Sequence, residues 1–218
     1  MMRVAPKPEP PDFEEKVRRP GLRAIAELVG ETPVPPRSGR PRGSVASRRE
    51  EISAASYPAY WTRVLPALLA AYSHICAYTC LYIERVTGGA SVDHRIPKSR
   101  AWDLVYEWSN YRLACGLMNS RKGESVDVLD PFEIADDWFA LEPVSYQVIP
   151  GAGARGESRR RVEETLRRLR LNDEICRGVR QEYVEGYLEG AISLPYLERR
   201  APFIARELRR QGKLLPGG

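Results

Sequence analysis

The chain has 218 residues, and its 34 Lys and Arg outnumber 29 Asp and Glu, so the formal net charge is +5 at pH 7. This length suits one domain, and the small basic excess is compatible with a polyanionic partner without demonstrating one. Four cysteines are too few for a disulfide scaffold in a chain of this length. No apolar signal segment opens the sequence, and no apolar run approaches the roughly 20 residues of a membrane helix. The composition therefore predicts a cytoplasmic protein with no membrane partner.

The N-terminal residues 1–52 are rich in proline and arginine, most clearly in the tract 33–42. Such a composition buries too little apolar surface to offset the entropy lost on ordering. Within it, Ala24, Ile25 and Leu28 recur at roughly helical spacing after a Pro-Gly pair. We therefore expect residues 1–52 to form a flexible arm, with a short helix somewhere in 13–29.

The middle of the chain alternates between helical and strand patterns. Segment 57–74 has apolar residues at helical intervals, with Pro66 suited to the first turn of a helix, and we expect it to serve packing. A Thr-Gly-Gly turn separates the β-rich stretch 75–83 from 91–96, which predicts a hairpin whose second strand carries Asp93 and His94. A loop and a helix bearing Asn119 would follow. Stretches 138–141 and 146–149 would form a second, smaller hairpin.

Residues 151–218 have the pattern of successive helices. Val162, Leu166 and Leu169 follow one helix face. Asn172 is placed to cap a second helix, which should end near Gly190. A Ser-Leu-Pro sequence at 193–195 begins a third helix, which should stop by residue 212.

The first of these helices carries arginines that allow two interpretations. Arg160 and Arg167 share a helix face, as a stripe that binds phosphates would require. However, Glu163 with Arg167, and Glu164 with Arg168, are i, i+4 pairs of the kind found on solvated helices. The sequence does not decide between the two.

The most specific pattern is the order Asp93-His94, Asn110 and Asn119. Asn110 lies sixteen positions after His94, and Asn119 lies nine after Asn110. The Asp93 carboxylate and the Asn119 amide oxygen form a ligand pair for a hard cation such as Mg²⁺ or Mn²⁺. His94 follows Asp93 on a strand, so it should point away from the ion and act as a general base, for which an unperturbed pKa of about 6.5 is suitable. These residue types together predict metal-assisted hydrolysis of a phosphodiester.

Other polar residues near this pattern would support the site. The Asn110 amide should bond to backbone groups of the loop and fix the strand that holds His94, without touching the metal. Four basic side chains flank the site and would contact phosphates other than the scissile one. These are Arg95, Lys98, Arg121 and Lys122.

On these residues the chain resembles the HNH endonuclease superfamily. The motifs are Cys-x-Tyr, Asp-His-x-x-Pro, Trp-x-Asn-Tyr-x-Leu-x-Cys and Asn-x-x-Lys-Gly, all within residues 75–123. The resemblance implies an α+β protein with a ββα-metal core embedded among helices. It implies that Asp93 and Asn119 bind the metal, that His94 is the general base, and that Asn110 is the middle asparagine of the motif. The implied reaction is cleavage of DNA to a 5′ phosphate and a 3′ hydroxyl, and the nuclease core with its flanking helices and small hairpin would span 53–150, ahead of the helical segment 151–218.

The cysteines depart from the pattern of this superfamily. Many of its members hold a structural zinc with two Cys-x-x-Cys pairs, whereas here Cys76 is followed by Cys80, and Cys115 by Met118. Methionine is a poor zinc ligand, and Cys176 lies far away in a helical pattern. We therefore expect no structural zinc, and cysteines that are buried as small apolar residues.

A weaker resemblance concerns the segments 17–21 and 169–172 and the general layout. These are similar to HNH proteins of bacterial anti-phage systems such as Septu and some retrons, which implies a defence role and an ATPase as a partner. Two alternatives to DNA cleavage stay open. The same site would suit an RNA substrate, and a formed but idle site would suit a module that only binds nucleic acid.

Overall fold

The computed structural model describes residues 1–35 and 39–215. Within these residues, seven α-helices and two antiparallel two-stranded sheets form a mixed α+β protein that is mostly helical, as expected. No helix in this part of the chain is both long enough and apolar enough to span a bilayer. The helices are α1 (Arg19–Leu28), α2 (Leu65–Ala71), α3 (Gly116–Lys122), α4 (Gly156–Arg168), α5 (Glu174–Leu188), α6 (Leu194–Arg200) and α7 (Pro202–Arg210). The strands are β1 (Ala90–His94), β2 (Tyr111–Cys115), β3 (Phe139–Leu141) and β4 (Val148–Pro150).

A ββα unit lies at the centre of the fold. Strand β1 pairs antiparallel with β2, with Val92 opposite Leu113 and His94 opposite Tyr111. Helix α3 begins directly after β2 and contacts both strands. Gly123 ends this helix with φ 52° and ψ −128°, a conformation that glycine adopts far more readily than other residues. The succession of strand, strand and helix implied by the resemblance is therefore present.

The partner of β1 differs from the expected one. The predicted hairpin of 75–83 with 91–96 is wrong, because 75–83 folds back on itself and forms only a single bridge, between Ile75 and Tyr82. Its turn is closed by the Cys80 amide, which donates to the Cys76 carbonyl, and Cys80 has a φ of 55°. The turn reaches the sheet through the Ala77 amide, which donates to the Leu113 carbonyl at 2.8 Å. Backbone groups satisfied inside a turn are not free to form a ladder with β1.

The N-terminal segment is packed, so the prediction of a flexible arm is wrong for residues 1–29. A π-helical turn, Glu14–Arg18, leads into α1, which confirms the predicted helix within 13–29. Phe13 and Val17 are fully buried. Helix α1 approaches Tyr106 so closely at Gly21 that a Cβ there would lie 2.2 Å from the ring. The overall composition of the segment is proline- and arginine-rich, but a few buried apolar side chains are enough to pack it. Residues 36–38 of the proline-rich tract lie outside the described residues.

The other predicted elements are largely present, with shifted ends. Pro66 stands in the first turn of α2, after a 3-10 turn over Tyr60–Val64. Strands β3 and β4 pair as the second small hairpin. The cap of α5 is Asp173 instead of Asn172, whose amide bonds to the backbone of Val148. The boundaries at 53, 150 and 151 between the predicted parts stay predictions.

The third C-terminal helix of the prediction is two helices. Ser193 caps α6 as expected, and its side chain accepts from the Tyr196 amide. Helix α6 ends at Arg200, because Ala201 has a non-helical backbone conformation, with φ −146° and ψ 61°, and the next residue is Pro202. Proline lacks an amide proton and disfavours the helical conformation of the residue before it. A second helix, α7, therefore starts there and packs on β3.

Candidate active site

Three of the four predicted core residues of the site line one cavity of about 300 Å³, between the end of β1 and helix α3. They are Asp93, His94 and Asn119. The remaining wall comes from the loop after β1, the end of α3 and a segment before α2, and its residues are Ala54, Ala55, Pro97, Lys98, Gly123 and Glu124. Asn110 is not among the residues that line this cavity. The fold thus brings together residues that are 26 positions apart (119 − 93) in the chain.

Asp93 is a buried carboxylate with two protein partners. It is 2% exposed, and its Oδ2 accepts from the Tyr78 hydroxyl at 2.5 Å. Its Oδ1 accepts from Lys122 Nζ at 3.0 Å. Burial raises the pKa of Asp93, while the Lys122 charge and the Tyr78 hydrogen bond oppose that rise. The carboxylate is therefore oriented and balanced by one ammonium group before any ligand arrives.

His94 is held in one tautomer. Its Nε2 lies 3.0 Å from the Val105 carbonyl, which can only accept, so Nε2 carries the proton. The other nitrogen, Nδ1, has no hydrogen bond to any described residue and is left as an acceptor. Burial lowers the pKa of His94 to about 4, so the ring is neutral at pH 7. Its ring contacts Trp61 and Tyr111, whereas Asp93 contacts Tyr78 and Lys122, so the two adjacent side chains take different sides of the strand as expected.

The two asparagines differ in what their amides contact. Asn119 Nδ2 donates to Ser91 Oγ at 3.2 Å and to the Val92 carbonyl at 3.5 Å, which leaves Oδ1 available to a ligand. Asn110 Oδ1 accepts from the Ile96 amide at 2.7 Å, and its Nδ2 donates to carbonyls on both sides of the loop after β1, those of Ile96 and Leu104. Asn110 thus holds the loop, in the contact that the sequence predicted.

The four basic residues expected to contact phosphates have different environments. Lys122 is fully buried and donates to Asp93 and to the His94 carbonyl, so the prediction of a phosphate contact is wrong for it. Arg121 is turned away from the cavity, toward the Leu169 carbonyl and Asp173, so that prediction is also wrong for Arg121.

Of the other two, Arg95 is directed to Asp130, at 3.6 Å, and to the Val126 carbonyl, at 3.3 Å. Lys98 lines the cavity and makes no ion pair or hydrogen bond with the described residues. Its partial burial lowers its pKa. Lys98 is therefore the cation of this set whose charge is best placed for a ligand in the cavity.

The residues of the cavity fit a hard divalent cation with few protein ligands. Among the described residues, no three or more His, Cys, Asp or Glu side chains are grouped to hold a metal ion. Mg²⁺, however, is commonly bound through one or two side-chain oxygens, with water and substrate phosphate as its other ligands. Asp93 keeps further lone pairs beside its two partners, and Asn119 offers Oδ1 in the same cavity. This donor set is therefore suited to Mg²⁺ or Mn²⁺ and unsuited to a soft metal.

The cysteines lie outside this cavity. Cys76, Cys115 and Cys176 line a separate cavity of about 180 Å³ together with Met118. The Cys115 amide donates to Cys76 Sγ at 3.4 Å. Cys76, Cys80 and Cys176 are buried, as expected of small apolar residues, and Cys115 is partly exposed. The absence of a structural zinc stays a prediction.

The arginines of α4 form ion pairs with glutamates of the same helix. Arg160 pairs with Glu157, and Arg167 pairs with Glu164 at 2.5 Å. These partners are three positions away instead of four, but they are of the solvated type that the sequence allowed. Their exposed side chains favour that interpretation.

Several residues at or near the site were not predicted from the sequence. Trp61 lies 33 positions before His94 (94 − 61), and its segment was assigned to packing, yet its ring contacts that histidine. Glu124 also lines the cavity. Tyr78 was visible only as the tyrosine of the Cys-x-Tyr motif. Comparisons of the chain with protein-family models and with curated proteins found no match.

Proposed function

We propose that this protein is a metal-dependent HNH-type endonuclease that hydrolyses phosphodiester bonds of DNA. The observation that carries the proposal is the state of His94: its Nε2 is fixed on the Val105 carbonyl, its ring is neutral, and its Nδ1 has no hydrogen-bond partner among the described residues. The same cavity contains the oxygen ligands Asp93 and Asn119. A base and a pair of hard-cation ligands in one cavity are the groups that phosphodiester hydrolysis needs.

The metal site would consist of Asp93 and Asn119. A divalent ion held there would act as a Lewis acid toward the phosphate and the leaving oxygen. Lys122 keeps the Asp93 carboxylate oriented, through the 3.0 Å contact between Nζ and Oδ1. Asn119 is oriented by the two hydrogen bonds of its Nδ2, which leave Oδ1 for the ion.

His94 would accept a proton from water at Nδ1. A pKa of about 4 leaves the ring unprotonated at neutral pH, but it also makes a weak base. An anionic phosphate bound beside the ring favours the imidazolium and raises that pKa. The Val105 carbonyl stabilises the ring in the charged form as well, whereas a divalent ion held by Asp93 would oppose protonation of the ring.

The substrate would be held chiefly by its backbone. Lys98 presents a cation at the cavity, and phosphate contacts of this kind position nucleic acid without reading its sequence. Cleavage with little sequence preference is the expected outcome.

Cleavage assays on supercoiled plasmid test the proposal. Wild-type protein should cut with Mg²⁺ or Mn²⁺ and stop when EDTA removes the ion. His94→Ala should abolish this cutting, while the matched variant His74→Ala should keep it, since His74 stacks on Tyr82 away from the cavity. Undiminished cutting by His94→Ala would refute the assignment.

Parallel assays separate the two alternatives. Cutting of RNA with no cutting of single- or double-stranded DNA would make the protein an RNA-cleaving HNH enzyme. Retained binding with no cleavage by any divalent ion would make it an idle binding module. The role as effector of an anti-phage system, with an ATPase as partner, rests on the weaker sequence resemblance, and an adjacent ATPase gene would support it.

A further inference from the structure

A tryptophan from outside the ββα unit contacts two residues of the cavity. Trp61 lies in the 3-10 turn Tyr60–Val64, which is anchored by the buried Val64. Its ring meets the His94 ring edge to face, with centroids 4.9 Å apart and an interplanar angle of 90°. The Lys98 ammonium lies over the same indole, 4.5 Å from its centroid.

We infer that Trp61 is a positioning residue of the proposed active site, which holds the Lys98 ammonium at the cavity for a substrate phosphate and supports the His94 ring. This inference rests on the proposed function and names the contact by which that site recognises the polyanion. Trp61 itself is not part of the cavity wall, so it acts through its two neighbours and not by touching substrate.

The chemistry of Lys98 makes such a platform necessary. A lysine side chain has four rotatable carbon–carbon bonds and is disordered unless something holds it. No carboxylate within the described residues forms an ion pair with Lys98, and its ammonium contacts the indole face. A cation over an indole is attracted by the ring without being neutralised, so the charge stays available to an anion. Glu124, across the cavity, attracts Lys98 only at longer range.

His94 gains orientation from the same ring. One side of the imidazole meets Trp61, and another meets Tyr111, with centroids 5.2 Å apart at 74°. Together with the hydrogen bond to Val105, these contacts restrict rotation of the ring. Without the indole, the ring would rotate more freely about its hydrogen bond to Val105, and the direction of Nδ1 would vary. This variation should lower the turnover rate more than it weakens substrate binding.

A matched control exists in the same chain. Trp102 also carries a cation over its ring, the Arg49 guanidinium at 5.0 Å, but neither residue lines the cavity. The Trp102 indole nitrogen donates to Glu50. Trp102→Ala therefore removes a partly buried tryptophan and a cation–aromatic contact of the same type without touching the proposed site.

Binding of a labelled duplex oligonucleotide in EDTA, followed by fluorescence anisotropy, tests the Lys98 part. Trp61→Ala should weaken binding by about 2- to 30-fold, the range of one cation–aromatic contact, and Lys98→Met should weaken it at least as much because it removes the phosphate contact itself. In the double variant the loss should equal that of Lys98→Met alone, because Trp61 acts through Lys98. Trp61→Phe should restore most of the affinity, and Trp102→Ala should bind like wild type.

Kinetics and NMR provide a second readout. In cleavage assays Trp61→Ala should lower kcat beyond its effect on binding, whereas Lys98→Met should chiefly raise KM. Reductive ¹³C-methylation labels the lysines that the reagent can reach, which excludes the fully buried Lys122 among the five lysines of the chain. The Lys98 signal, identified by its absence in Lys98→Met, should be shifted upfield by the indole in wild type and should lose that shift in Trp61→Ala.

Several results would overturn the inference while leaving the proposed function intact. One is an unshifted Lys98 signal in wild type. Another is a double variant in which the affinity losses of Trp61→Ala and Lys98→Met multiply. A third is an equal loss of affinity in Trp61→Ala and Trp102→Ala. A wild-type protein that neither binds nor cleaves nucleic acid would instead overturn the proposed function, and the phosphate contact of Lys98 with it.

Discussion

Replacing Phe13 with alanine should lower the free energy of unfolding, because its ring packs the N-terminal segment against the ββα unit. The Phe13 ring is fully buried and lies 5.8 Å from the rings of both Trp108 and Tyr111. Tyr111 is the β2 residue opposite His94, and Trp108 stands in the loop just before that strand. The Arg18 guanidinium covers the remaining face at 5.0 Å. Removal of the ring would leave a cavity between the N-terminal segment and the ββα unit.

The expected cost follows from the burial. A buried phenylalanine replaced by alanine lowers the free energy of unfolding by about 3 to 5 kcal/mol, through lost apolar transfer and the cavity left behind. For a chain of this size, each kcal/mol shifts the midpoint of thermal unfolding by about 2 to 4 °C, so a fall of roughly 6 to 20 °C is expected. Leu22→Ala, at a 47% exposed position of α1, should cost less than about 1 kcal/mol.

Urea unfolding followed by tryptophan fluorescence, with a thermal melt beside it, measures both variants. The contrast between Phe13→Ala and Leu22→Ala is the decisive quantity, because both changes remove apolar side-chain volume from the same segment. A Phe13→Ala variant within about 1 kcal/mol of Leu22→Ala would refute the packing of residues 1–29. The flexible arm expected from composition would then be correct.

Three further predictions concern the site. Lys122→Met leaves the Asp93 charge buried without its partner and should lower the free energy of unfolding, measured in urea titrations, by about 3 to 5 kcal/mol. The control Lys16→Met, at a half-exposed ion pair, should change it by less than about 1 kcal/mol. Equal effects of the two changes would contradict the buried pair. The pKa of His94 is about 4 in the folded protein and about 6.5 in the unfolded chain, so the unfolded state binds the proton more readily. The contribution of this group to stability, about 3 kcal/mol, is therefore lost as the pH falls from 7 toward 4. His94→Gln should show a shallower fall in EDTA, and parallel curves would count against the burial. Asn110→Ala should cost about 1 to 3 kcal/mol and speed amide exchange in the loop that it holds, while unchanged exchange would contradict its role.

The parts of the fold that sequence reasoning predicted are those that depend on local signals. Ser193 caps its helix, and Pro66 stands in the first turn of α2, because both effects involve only the neighbouring backbone. The role of Asn110 was predictable for a similar reason, since a short amide side chain reaches the backbone of its own loop.

The pairing of β1 was missed because strand pairing is not local. The stretch 75–83 is closer in sequence and has similar composition, but β2, which follows a loop of sixteen residues (95–110), is the strand that forms the ladder. Sequence proximity favours the first choice, while the backbone of 75–83 satisfies its own hydrogen bonds in a turn. The side-chain pattern of the two stretches gives no basis for distinguishing these outcomes.

The sequence by itself determined which chemical groups the proposed site has available: the order Asp93-His94, Asn110, Asn119 predicts the donor oxygens and the base, since those properties belong to the side chains. Only the tertiary structure decided how each group is charged and held. Lys122 looked like a surface phosphate contact and is instead the buried partner of Asp93, and Trp61 looked like core and contacts His94. Burial, charge balance and orientation depend on contacts from distant segments of the chain, so they cannot be derived from any single stretch of sequence.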